Sequence, residues 1–274
     1  MELRVLRRRR AVNQPAGEDP PALLYVGGPT AVIELGGLRL LTDPTFDPPG
    51  EYPIGERALT KTAGPALSPE AVGPVDAVLL SHDHHPDNLD RRGRQLLAGV
   101  PLVLSTPSAR ARLGDPVRAL ANWEHVELRR PGGGVLQVTG APARHGPPGG
   151  EHLYGEVTGF VLSGRGLPTV YVSGDNASVD MVRAVANRLG TVDVAVLFAG
   201  AARTALMAGA PLTLTSDLAV EAARVLRARL VVPVHFEGWR HFTEGGDRLV
   251  EAFARAGLAD RLRLPAAGER VELV

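Results

Sequence analysis

Cysteine is missing from the 274 residues. Its absence excludes disulfides, thiolate zinc sites and a cysteine nucleophile, so any metal must be held by nitrogen and oxygen donors. Lysine is nearly missing too: of 30 basic residues only Lys61 is a lysine, which reads as compositional bias. Net charge is zero, with 30 basic residues against 30 acidic ones. A nucleic-acid-binding chain needs a basic face, so no nucleic acid is expected as a partner. No uncharged apolar run approaches the roughly 18–20 residues of a membrane span, and no transmembrane segment is expected. The arginines at 7–10 are followed by polar, proline-containing sequence, where a signal peptide would carry an apolar stretch. The expectation is a soluble, cytoplasmic protein with a small-molecule substrate. Oligomeric state and the role of the arginine run stay open.

Hydrophobic residues make up 44% of the chain, and a length somewhat above roughly 200–250 residues is still compatible with one large domain. Residues 1–21 read as a basic and polar leader, and 22–274 as a single domain. Short β-rich runs at 22–26, 30–35 and 38–42 are separated by Gly27-Gly28 and Gly36-Gly37, as in consecutive antiparallel strands. Further strands are predicted at 76–80, 101–105, 124–128, 135–139, 159–162, 169–172, 192–198 and 231–234. Thr106-Pro107 opens a short helix, and apolar spacing with caps predicts longer ones at 177–189, 215–230 and 248–256. Thr213 and Thr215 read as caps for the helix at 215–230. The fold class is therefore α+β, with strands in two sheets and helices outside.

One segment carries most of the chemistry. After the apolar run 76–80 come Ser81-His82-Asp83-His84-His85-Pro86-Asp87-Asn88-Leu89-Asp90. In an extended backbone His82 and His84 point the same way, and neutral imidazole is the commonest protein metal ligand. Asp87 is near enough in sequence to reach the same ion or one beside it. Three later apolar runs also end on ligand types: at His145, at Asp175-Asn176 and at His235.

This set resembles the metallo-β-lactamase-fold superfamily. The likeness is to the branch with ascorbate-phosphate lactonase-like proteins and N-acyl-phosphatidylethanolamine phospholipase D. It rests on Gly27 to Glu34, Thr42-Asp43-Pro44, the His82 cluster, Ala143-Arg144-His145, Ser173-Gly174-Asp175 and Pro233-Val234-His235. It implies an αββα sandwich of two mostly antiparallel sheets with helices on the outer faces. It also implies one or two divalent metal ions, zinc foremost, with manganese or iron compatible. His82, His84 and His145 would bind the first ion, Asp87 and His235 the second, and Asp175 would bridge.

The sequence departs from the superfamily signature His-x-His-x-Asp-His. One extra residue gives His-x-His-His-Pro-Asp-Asn, so Asn88 stands where the final histidine is expected. Either His85 or Asn88 takes up the ligand role, or the second site is weak or empty. The function expected is a metal-dependent hydrolase directing a metal-bound hydroxide at a small ester, lactone or phosphodiester. Asp87 and Asp175 are its catalytic carboxylates. The alternatives are a metal-dependent nuclease and a non-catalytic metal- or ligand-binding scaffold. Asp43 is expected to support a ligand histidine by a hydrogen bond. Trp239 and His241 are expected to line the substrate pocket, unless they are respectively a packed aromatic and a surface residue.

Overall fold

The computed structural model describes residues 19–274; the arginine run and most of the expected leader lie outside them. Strands β1 (Ala22–Gly27), β2 (Thr30–Leu35) and β3 (Leu38–Thr42) form an antiparallel meander. Gly36 and Gly37 both have positive φ, 60° and 76°, between the paired Leu35 and Leu38. That conformation is open to glycine at little cost and matches the twist of a two-residue hairpin. A hairpin, β4 (Gly50–Ile54) and β5 (Arg57–Lys61), and a short helix α1 (Pro69–Val72) then precede β6 (Ala77–Leu79). Helix α2 (Arg91–Leu97), β7 (Val103–Ser105), α3 (Pro107–Leu113) and β8 (Val117–Ala119) complete this half.

The second half contributes β9 (His125–Arg129), β10 (Val135–Pro142), α4 (Glu151–Tyr154), β11 (Thr158–Ser163), β12 (Val170–Val172) and α5 (Val179–Leu189). It continues with β13 (Val194–Phe198), α6 (Ser216–Leu226), β14 (Leu230–Val234) and α7 (Gly246–Arg255). Strand β15 (Arg270–Glu272) returns to pair with β1. One sheet has the order β15-β1-β2-β3-β6-β7-β8, the other β14-β13-β12-β11-β10-β9.

Alternation explains the layering. Leu23, Tyr25, Ile33, Leu40 and Leu79 pack into the core shared with the second sheet, which also takes in Val182, Val185, Ala222 and Phe253 of the later helices. Val26, Val32, Leu41, Val78 and Leu80 pack on the opposite face with Leu97. Successive strand residues point to opposite faces, so both faces of the first sheet are buried and its strands read as near-continuous apolar runs. The result is helix, sheet, sheet, helix.

Direction places the site. β3, β6, β7 and β8 run parallel, and so do β12, β13 and β14. Parallel strands bring their C-terminal ends to one edge, so the segments after β3, β6, β12 and β14 leave the sandwich together.

Thr106 and Thr215 cap α3 and α6, accepting from Ala109 N (3.0 Å) and Leu218 N (3.2 Å). Thr213 instead accepts from Ala202 N at 3.0 Å. Helix α6 stops at Leu226, short of the expected 230, because Arg227 turns left-handed (φ 51°) and Leu230 already pairs with Val194. The β4–β5 hairpin and α2 were not anticipated: the first carries Pro53 and exposed residues without alternation, the second is short, with three arginines and a glycine in seven residues.

Candidate metal centre

Each candidate ligand follows a strand end, and the backbone there is held tightly. Gly174 (φ 57°) turns the chain from β12 to Asp175; a Cβ on it would lie 2.5 Å from Thr158 O and 2.9 Å from Ser81 Cβ. His235 follows β14 with φ 57°, and its N–H donates to Gly28 O at 2.6 Å. Left-handed backbone at a non-glycine residue costs of order 1–3 kcal/mol and persists where the surroundings impose it.

Two groups of donors form at this edge. His82, His85, His145 and Asp175 each offer one atom, all within 4.8 Å of one another; Asp87, Asp175 and His235 do likewise. In the first group His85 Nδ1 lies 3.0 Å from His82 Nε2 and 3.3 Å from His145 Nε2, and Asp175 Oδ2 is 3.6 Å from His145 Nε2. In the second, His235 Nε2 is 3.4 Å from Asp87 Oδ2 and its Nδ1 is 3.4 Å from Asp175 Oδ1. Asp175 belongs to both.

Hydrogen bonds behind the ligands set which nitrogen is free. Ser81 Oγ donates to Asp43 Oδ2 (2.7 Å), so the contact between His82 Nδ1 and Ser81 Oγ (2.9 Å) is donated by the ring. His145 Nδ1 faces Leu212 O at 2.8 Å and can only donate there. Both rings therefore turn an Nε2 lone pair into the first group, the arrangement typical of ligand imidazoles. Asp43 also accepts from Ser81 N (2.6 Å) and Asn88 Nδ2 (3.1 Å). It supports His82 through Ser81, one bond further away than expected from the sequence.

The electrostatics of the group call for a cation. Burial, and then neighbouring histidines, hold His82 well below its ordinary pKa, His85 at about 4 and His145 at about 3, so the rings are neutral at pH 7. Burial, then the charges of Asp87 and Asp43, pushes Asp175 well above the carboxylate range; burial pushes Asp43 up to about 7. Burial works against ionised Asp87 as well, but His241 and His235 together hold it well below the usual range. Asp87 Oδ1, Asp175 Oδ2 and both ring nitrogens of His235 are buried without a hydrogen-bond partner among the described residues. Such atoms cost about 1–3 kcal/mol each when left unpaired. A divalent cation among them removes that cost, and a donor set of imidazole and carboxylate suits zinc, manganese or iron. The residues fit a metal ion.

Comparison with known proteins agrees. The model of the β-lactamase superfamily domain matches residues 38–236. The chain belongs to the β-lactamase superfamily. A metal-dependent hydrolase of Opitutus terrae is 30% identical over 260 residues, covering 92% of this chain and 99% of that one. Of solved structures, the isothiocyanate hydrolase from Delia radicum gut bacteria superimposes with a TM-score of 0.76 at 22% identity, covering 91% of this chain and 98% of its own. A metallo hydrolase from the archaeon Ignicoccus hospitalis gives 0.68 at 21% identity, covering 92% and 97%. These two likenesses concern the fold. The αββα sandwich is the fold of the superfamily, and the chain is one of its metal-dependent hydrolases.

Against the superfamily signature, the extra residue re-routes the His82 loop. His84 is not brought into either group: its ring lies against Gly155, where a Cβ would sit 2.5 Å from Cε1, and its Nδ1 is 3.9 Å from Asp83. Arg112 clamps Asp83 with both Nε and Nη2, which holds that side of the loop away from the site. His85 stands in the first group instead. Asn88 presents its amide NH2 to both Asp43 and Asp175, each at 3.1 Å. Its two N–H groups serve one carboxyl each, so Asn88 acts as a donor to Asp175, and its Oδ1 is buried without a partner among the described residues.

Trp239 is buried, edge-on to Tyr52 (centroids 5.6 Å apart), with Lys61 Nζ 5.5 Å from its ring centroid. His241 reaches Asp87 Oδ2 at 2.9 Å. Ser81 and the carbonyl of Leu212 were not foreseen; a serine preceding a ligand, or a remote carbonyl, has no signature of its own. A cleft of about 760 Å³ borders the site at His145 and Arg144, walled by Glu151, His152, Glu156 and Thr158; the other ligands do not line it. Among the described residues no helix is long and apolar enough to cross a membrane.

Proposed function

We propose that the chain hydrolyses a small ester, lactone or phosphodiester at a two-ion centre. His82, His85, His145 and Asp175 hold the first ion, and Asp87, Asp175 and His235 the second. The observation that carries this reading is the convergence of His82 Nε2 and His145 Nε2, their lone pairs fixed inward and 3.0 and 3.3 Å from His85 Nδ1, on Asp175, whose buried Oδ2 lacks a hydrogen-bond partner among the described residues. Zinc suits this donor set best. A bound divalent ion supplies Lewis acidity and brings the pKa of a water from 15.7 towards about 7.

The protein groups then divide the work. Asp175, tethered by Asn88, sits between the two groups and fixes their separation. Asp87, kept ionised by His235 and His241, has its free Oδ1 available to orient a water and accept its proton. The cleft at His145 has the volume of a small-molecule site and offers both signs of charge, from Arg144 and from Glu151 and Glu156.

The test is hydrolysis of a panel of lactones, aryl esters and phosphodiesters by metal-depleted protein and by protein reloaded with zinc or manganese. Activity is expected only after reloading, and Asp87→Asn is expected to abolish it while leaving the fold intact. A folded, metal-loaded protein inert across the whole panel would sink the reading.

A further inference from the structure

The superfamily signature ends in a histidine that this chain lacks, and the structure gives neither neighbour that role. His85 belongs to the first group, and Asn88 turns its NH2, not its oxygen, to Asp43 and Asp175, its Oδ1 being buried without a partner among the described residues. Among the histidine and carboxylate side chains of the described residues, that leaves Asp87, Asp175 and His235 as the donors within 4.8 Å of one another in the second group, one short of the tetrahedral set zinc prefers.

A further imidazole stands beside that gap. His241 Nε2 lies 2.9 Å from Asp87 Oδ2, the same oxygen that His235 Nε2 approaches at 3.4 Å. The two rings come off one loop and both pack at a tilt against Phe242, with centroids 4.4 and 4.6 Å away and interplanar angles of 58° and 60°. His241 is 11% exposed, and its other nitrogen, Nδ1, is buried without a partner among the described residues.

The segment that carries it is held at three residues. His241 O accepts from Arg203 N (2.9 Å), Arg240 N donates to Thr60 O (3.0 Å), and Thr243 Oγ1 donates to Ala201 O (2.7 Å). A ring so placed approaches Asp87 without any large movement of the chain, which is the preorganisation a ligand needs.

We propose that His241 is the ligand that replaces the missing histidine, binding the second ion through Nε2 beside Asp87, Asp175 and His235. The proposal rests on the two-ion reading above. It makes the departure at Asn88 a relocation of a donor from the His82 loop to the segment after β14, and it gives the second ion two imidazoles and two carboxylates.

The test titrates metal-stripped full-length chain with zinc and with cobalt(II). The wild type is expected to bind two ions, and His241→Ala one ion tightly and the second more than about 100-fold more weakly. Loss of a mere outer hydrogen-bond partner costs roughly 10–100-fold. Protein saturated with cobalt(II) and carrying ¹⁵N-labelled histidine is expected to show five contact-shifted rings, His82, His85, His145, His235 and His241; the variant is expected to show four at saturation and three with one equivalent bound. His241→Gln, which keeps a donor to Asp87, is expected to behave like the alanine variant and guards against a folding defect. Two ions with four shifted rings in the wild type, or a variant that still binds both ions tightly, would overturn the role of His241 and leave the metal centre standing. A wild type that binds only one ion, or none, would sink the two-ion reading itself and the role of His241 with it.

Discussion

Exchanging the roles of His84 and His85 is the most direct prediction of this loop, and it can be tested without knowing the substrate. At free zinc about 1,000-fold above Kd, binding to the folded state alone stabilises it by about 4.1 kcal/mol. Removal of His85 takes away a ring nitrogen that faces both His82 Nε2 and His145 Nε2. A Kd raised about 100-fold leaves zinc at ten times Kd, which is worth about 1.4 kcal/mol. The metal-dependent gain therefore falls by about 3 kcal/mol, a drop in Tm of roughly 5–11 °C for a domain of this size. His84 offers no donor atom to either group; its ring lies beside those of His82 and His85, centroids 5.9 and 6.2 Å apart, and its ion pair of 3.9 Å to Asp83 leaves its side chain 26% exposed. His84→Ala should change the zinc-dependent gain by less than about 1 kcal/mol. The assay is thermal unfolding of wild type, His84→Ala and His85→Ala, each with chelator and with zinc, taking the difference for each protein. That difference also cancels any relief His85→Ala brings to the metal-free form. Equal losses in both variants, or a loss confined to His84→Ala, would refute the assignment.

Three further outcomes follow. Lys61 is buried with Nζ 3.2 Å from Asp90 Oδ2, so Lys61→Met strands a buried carboxylate. The expected cost is about 3 kcal/mol, read as a fall in the urea midpoint; a loss under about 1 kcal/mol would show that Asp47 N and Gly93 N suffice for Asp90. Gly174→Ala drives a Cβ against Thr158 O and Ser81 at positive φ, so it should lower Tm by many degrees and release metal, while Gly133→Ala, also at positive φ but with nothing within 4 Å, should cost only the backbone strain of about 1–2 kcal/mol. Acid should destabilise the metal-free protein through His145: held neutral to about pH 3 in the fold, it binds a proton in the unfolded chain below about pH 6.5, so stability is lost as pH falls from 6.5 towards 3. Asp43, raised to about 7, works in the opposite sense between about pH 7 and 4. His145→Gln should therefore show a shallower loss below pH 6.5 by urea titration, and an unchanged slope would count against the neutral buried ring.

Much of the architecture is written locally. The β1–β3 meander is legible because glycines stand where the turns need positive φ, Gly28 in the first and Gly36-Gly37 in the second, and Thr106-Pro107 and Thr215 are legible as caps because a cap is a contact three residues long. Strand ends carrying His82, His145, Asp175 and His235 also announce themselves, since apolar runs that stop on ligand types are rare. The absence of cysteine determined from the outset that a metal here meets nitrogen and oxygen.

Spacing alone does not decide which donors meet. His82 and His84 have the periodicity of a shared direction, yet the Asp83–Arg112 clamp and the wall at Gly155 take His84 elsewhere and leave His85 facing a ring 60 residues away. Asn88 reads as a substitute ligand until two carboxylates, 45 and 87 residues distant, claim its amide. His241 reads as pocket lining until Asp87, 154 residues away, is found beside it. The chain's own pattern determined the elements and the kinds of donor, because those depend on neighbours in sequence; which donors lie side by side was decided by the parallel strands that gather distant loops at one edge.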